Sequence, residues 1–164
     1  MPSLRVLNVD VSFTPASLSQ FISSIRHTAL LELILNTAIY GPIGGPPTAG
    51  LTGLEKLSIR WYAEDNPNEP GSSLAHLYEL IRPTLTTLVK FRIDFCGNFD
   101  LQLLKPSAVT LRSFEYTLQS ADEGILDTIP AILPHLTKLK ITWGYSFKEH
   151  SILWKACTIF STSH

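Results

Sequence analysis

By residue type, Cys157 and His150 come nearest in this chain to a nucleophile with its base. They stand seven residues apart. On a helix that spacing puts both on one face, but about 10 Å apart along the axis. That exceeds hydrogen-bond reach, so the imidazole could not activate the thiol, and Cys157 reads as a structural residue. His27, His76, His135 and His164 fall at helix ends, on a helix face or at the terminus. No pair of histidines has metal-ligand spacing with a cysteine or carboxylate partner, and no His-Glu-x-x-His occurs. Cys96 has no base placed beside it, and neither Gly-x-Ser-x-Gly nor a dinucleotide fingerprint is present. The run Gly41-Pro42-Ile43-Gly44-Gly45-Pro46-Pro47 offers backbone amides of the kind that cradle phosphate. It continues Thr48-Ala49-Gly50-Leu51 without the lysine a P-loop needs, and so reads as a connector. The expectation is a non-enzymatic protein with no cofactor and no metal.

Bulk properties narrow the partners. With 45% hydrophobic and 16% charged residues, the 164-residue chain is too apolar for disorder and large enough for one domain with a core. Its net charge of −1 argues against nucleic-acid or membrane-surface binding, which favour a strong positive excess. Its apolar runs are too short to span a membrane, and no signal-like leader precedes the first element. The 2 cysteines are too few for a disulfide framework, and no Asn-x-Ser/Thr sequon occurs. Together these point to an intracellular protein.

Binding, then, has to come from architecture. Apolar residues recur at the first, fourth and sixth places of a window seen six times: Leu4/Leu7/Val9, Leu30/Leu33/Leu35, Leu54/Leu57/Ile59, Leu88/Phe91/Ile93, Leu111/Phe114/Tyr116 and Leu136/Leu139/Ile141. First places are 26, 24, 34, 23 and 25 residues apart. Near-constant spacing marks a repeat array in which each window is a strand. Strands are expected at about 4–11, 30–35, 54–60, 88–94, 111–117 and 136–142, the second buried on both faces because it is nearly all apolar. Between them, Thr14-Pro15 starts a helix over 15–27, and Ser72 or Ser73 caps one carrying Leu74, Leu77, Leu80 and Ile81 up to Pro83. A short helix fits around Leu101–Leu104. Ser120-Ala121-Asp122-Glu123 opens another, closed by Pro130 and Pro134, and Ser146-Phe147-Lys148-Glu149 opens a capping helix over 146–160. Residues 63–71 form an acidic, Pro-rich insert that accounts for the longest spacing. Alternating strands and helices give an α/β class with a parallel sheet.

These windows resemble leucine-rich repeat proteins, whose consensus is Leu-x-x-Leu-x-Leu-x-x-Asn/Cys. The resemblance covers about residues 4–145. It departs at the ninth place, where Ser12, Ala38, Tyr62, Cys96, Gln119 and Gly144 stand and only Cys96 matches. The irregular lengths and the phrase Leu133-Pro134-His135-Leu136-Thr137-Lys138-Leu139 are most similar to the divergent repeats of fungal F-box-like proteins. The resemblance implies a solenoid of about six irregular repeats over 1–164, a curved parallel sheet with helices and loops on the convex side. It also implies that the repeats recognise the substrate of a ubiquitin ligase. No F-box-like segment occurs in these residues, so adaptor binding would require one in a longer product. The first window begins at Leu4 with no cap ahead of it, which is expected of a piece of a longer array.

In such an array the third, fifth and seventh places of each window face outward. They hold six basic residues, Lys56, Arg60, Lys90, Arg92, Lys138 and Lys140, and four acidic ones, Asp10, Glu32, Asp94 and Glu115. The eighth place is mostly apolar: Val11, Thr37, Trp61, Phe95, Leu118 and Trp143. The expectation is a protein partner bearing an acidic patch, steered by the six cations and anchored by Trp61, Phe95 and Trp143; the alternative for the eighth-place side chains is burial under the loops that follow them. The competing expectation is a truncated remnant without a binding role, whose open strand edges drive self-association.

Overall fold

The protein is seen in a computed structural model that describes residues 4–25, 29–39, 51–62, 68, 70–95, 99–118, 125–143 and 155–159. Seven strands form one sheet in chain order: β1 (Val6–Val9), β2 (Glu32–Ile39), β3 (Lys56–Trp61), β4 (Lys90–Phe95), β5 (Ser113–Leu118), β6 (Lys138–Trp143) and β7 (Lys155–Ile159). β1 to β6 run parallel, and β7 pairs antiparallel with β6. The returns between parallel strands include α1 (Pro15–Ile25), α2 (Ser72–Ile81) with a 3₁₀ turn over Arg82–Thr84, a longer 3₁₀ segment (Leu101–Ser107) and α3 (Ile125–Ile132). The chain is therefore an α/β protein with a six-stranded parallel sheet extended by one antiparallel strand.

The windows stack in phase. Leu7, Leu33, Leu57, Phe91, Phe114 and Leu139, all at the fourth place, are lateral partners from β1 to β6. Their side chains enter one continuous core with the sixth-place residues, with the first-place residues other than the exposed Leu4, and with Leu18, Ile22, Leu77, Leu80, Leu104 and Ile132 from the returns. Helices and 3₁₀ segments therefore cover one face of the sheet and leave the other to its polar residues. Aromatic packing fills the middle of the core. Phe91 stacks on Phe114 at 5.9 Å, Phe114 on Tyr116 at 6.0 Å, and Phe99 lies 5.9 Å from Tyr116.

Phase is locked by a hydrogen-bond device repeated at each of the five parallel joints. Two successive amides donate to one carbonyl of the preceding repeat. Leu31 and Glu32 donate to Arg5 (2.8 and 3.0 Å), Glu55 and Lys56 to Leu31 (2.8 and 3.0 Å), and Val89 and Lys90 to Glu55 (2.7 and 3.0 Å). Arg112 and Ser113 donate to Val89 (2.9 and 3.1 Å), and Thr137 and Lys138 to Arg112 (both 2.9 Å). Every accepting residue stands at the second place of its window. Threonines reinforce the start of two joints. Thr84 Oγ1, fully buried, accepts from the Leu54 amide at 2.9 Å and donates to its carbonyl at 3.0 Å. Thr87 Oγ1 donates to that carbonyl at 2.8 Å, and Thr137 Oγ1 to the Arg112 carbonyl at 3.0 Å.

Several local expectations are corrected. β2 is buried on one face only, with Leu33 and Leu35 inside and Glu32 and Ile34 partly exposed. Its apolar composition cannot tell a strand covered twice from one whose outer face carries a single Ile. Neither Ser72 nor Ser73 caps α2. The N-cap is Gly71, whose φ of 82° lies in the left-handed region that glycine enters without strain. Pro130 sits inside α3, which runs on because Ile129, Ile132 and Leu133 are buried and the Leu133 amide still reaches the Ile129 carbonyl at 2.8 Å. The capping helix expected over 146–160 is replaced at 155–159 by β7, which satisfies the free edge of β6 with backbone bonds that a helix could not supply. The Gly-Pro connector over 41–47 and the capping-box residues Ser120–Glu123 lie outside the described residues.

The buried threonine gives a test of the joint. Thr84→Val leaves the Leu54 amide buried without a partner and should cost about 1–3 kcal/mol of unfolding free energy. Thr84→Ser, which keeps the hydroxyl, should recover most of that loss in urea titrations.

Candidate binding face of the sheet

Alternation along each strand decides which side chains face the core and which form the open face. In β3, Leu57, Ile59 and Trp61 are buried while Lys56 and Arg60 are exposed and Ser58 is partly so; in β4, Phe91, Ile93 and Phe95 are buried while Lys90 and Arg92 are exposed. Lateral register turns the outward residues into rows across the strands. The first row runs Val6, Glu32, Lys56, Lys90, Ser113, Lys138, and the second Asn8, Ile34, Ser58, Arg92, Glu115, Lys140. A third, beyond an irregularity in β2, runs Arg60, Asp94, Thr117, Thr142.

Three cross-strand ion pairs lie within the first two rows. Lys56 Nζ is 3.0 Å from Glu32 Oε2. Glu115 Oε1 serves two cations, Lys140 Nζ at 2.7 Å and Arg92 Nε at 3.5 Å. Such partly exposed pairs contribute little to stability, on the order of 1 kcal/mol or less each. Their larger effect is on recognition, because a cation held by a neighbouring carboxylate is less available to a partner. Pairing across strands was hidden from single-window reading, although its signal was present. Glu32 and Lys56 share the third place of consecutive windows, and Arg92, Glu115 and Lys140 share the fifth.

Between β1 and β5 the face is hollowed by a cavity of about 240 Å³. Ser58 and Ile34 line it, with Lys56, Lys90, Arg92, Glu32 and Glu115 around them. In the third row, Asp94 Oδ2 accepts from Tyr62 Oη at 2.5 Å, while Asp94 Oδ1 is buried without a hydrogen-bond partner.

The structure brings Lys56, Lys90, Arg92, Lys138 and Lys140 onto one face, with Arg60 in the third row beside Asp94. It does not bring Trp61 and Phe95 there. Trp61 is 1% exposed and Phe95 4%, because the eighth place of these windows alternates onto the core side. Trp61 Nε1 donates to Ser73 Oγ at 2.8 Å, tying the end of β3 to the first turn of α2. The expected role of these two rings as anchors is therefore corrected: they hold return segments to the sheet. The Trp143 side chain lies outside the described residues, as do those of Cys96, His150 and Cys157. His76 is half-buried, with Nδ1 donating to the Ser72 carbonyl at 2.9 Å. Among the described residues no group of three or more His, Cys, Asp or Glu side chains converges as a metal site would, and no helix is long and apolar enough to cross a membrane.

Trp61 and Ser73 supply a test of the structural assignment. Ser73→Ala should cost about 1–3 kcal/mol by leaving a buried indole N–H unpaired, and Trp61→Phe a similar amount. Chemical denaturation of the double variant should show a loss well below the sum of the two, since both single changes remove the same bond. Comparison of the chain with protein-family models, with curated proteins and with solved structures finds no match.

Proposed function

We infer that this chain is a non-enzymatic protein-interaction module of leucine-rich-repeat type that binds an acidic protein partner on the open face of its parallel sheet. One observation carries the reading. Six windows stack in register with their apolar places on one side, leaving five cations and two carboxylates of the first two rows on the other, where Lys56, Lys90 and Arg92 border a hollow. Stacked repeats characteristically use such an extended face for binding. The resemblance of the windows to F-box-like repeats supports a finer version, in which a longer polypeptide carrying an F-box would use this face to hold a ubiquitin-ligase substrate inside the cell.

A second reading, self-association through the β1 end of the sheet, is favoured by the exposure of Leu4, Val6 and Val11. Light scattering after size exclusion separates the two. A monomer across a range of concentrations excludes self-association, whereas a concentration-dependent increase in mass that Val6→Lys abolishes supports it.

Ser58 tests the face without altering charge. Ser58→Trp fills the hollow and should weaken binding of a labelled poly-glutamate chain, followed by fluorescence anisotropy, by about tenfold, equivalent to about 1.4 kcal/mol. Added salt should weaken the wild-type complex as well. Unchanged affinity in the tryptophan variant would place the acidic ligand elsewhere.

A further inference from the structure

The ion pairs divide the cations of the open face into two kinds. Lys56 is held by Glu32, and Arg92 and Lys140 share Glu115. Lys90 and Lys138 are exposed and take part in no ion pair among the described residues. Both stand in the first row, on β4 and β6, with only Ser113 between them. Two strand spacings separate their backbones, about 10 Å. Lys90 also borders the hollow, while Lys138 stands two strands farther along the sheet.

We propose that Lys90 and Lys138 form a two-point site for an extended acidic peptide that crosses β4, β5 and β6, placing one carboxylate at each lysine. The proposal rests on the protein-binding reading above and narrows it to a partner chemistry and a spacing. In an extended peptide, residues two apart point the same way and lie about 7 Å from each other. Flexible glutamate and lysine side chains close the remaining difference, so the partner carries glutamates at alternate positions. Ser113, partly exposed between the lysines, offers a hydroxyl to the peptide backbone. Lys56, Arg92 and Lys140 contribute less, because a partner carboxylate must compete there with one already in place.

The test uses two labelled peptides of identical composition, one with glutamate alternating with serine and one with its glutamates contiguous. Both are titrated with the full chain at low salt, with fluorescence anisotropy as the readout. Lys90→Gln and Lys138→Gln should each weaken the alternating peptide by about threefold to fivefold, as loss of one exposed charge pair does. Lys105→Gln removes the same charge from the 3₁₀ return on the other side of the sheet and should leave affinity within about twofold. The contiguous peptide, which points half its carboxylates away, should bind more weakly than the alternating one. Equal losses in all three variants, or equal binding of the two peptides, would overturn the two-point site. If Ser58→Trp still released the peptide in that case, the binding face itself would stand. If the wild-type chain bound neither peptide, the face reading would fall as well.

Discussion

The lateral register between consecutive repeats is the constraint on which everything else depends. At each parallel joint one second-place carbonyl receives two amides from the next repeat, and this fixes both the alignment and the facing of the strand that follows. A slip of one residue would turn the fourth- and sixth-place apolar side chains of the slipped strand outward and its open-face lysines inward. The double-donor joint and the apolar window enforce the same phase, one through the backbone and the other through burial. Thr84 and Thr87 add side-chain bonds at the start of β3, satisfying backbone groups of Leu54 that lie ahead of the strand ladder.

With the phase set, the two faces of the sheet divide the work. The covered face carries the aliphatic and aromatic packing, with Phe91, Phe99, Phe114 and Tyr116 in mutual contact. It also absorbs the tryptophan that composition alone would place at a binding rim. The open face carries charge that is only partly neutralised within the sheet. A surface of this kind favours a ligand of opposite sign over a neutral one and depends on ionic strength, because exposed charges are screened over about 10 Å at moderate salt.

The six windows, their strands and the parallel α/β class are legible from the spacing of Leu, Ile, Phe and Tyr, since a period of two within a strand and about 25 residues between strands leaves few other arrangements. The outward positions of Lys56, Lys90, Arg92, Lys138 and Lys140 follow from the same alternation. The chain itself therefore determined that the fourth- and sixth-place residues form the covered face, that the third- and fifth-place ones form the open face, and the order in which they stack.

What only the tertiary structure decided depends on groups far apart in sequence. The burial of Trp61 requires α2 to sit over the end of β3, where Ser73 meets the indole twelve residues downstream. Local pattern carries no record of that meeting. The strand at 155–159 takes its form from the open edge of β6, a long-range backbone requirement that overrides the helical spacing of its apolar residues. The separation of cations into held and available arises the same way. A lysine is neutralised or left free by what the neighbouring repeat places about 4.8 Å to its side, and no single window contains that information.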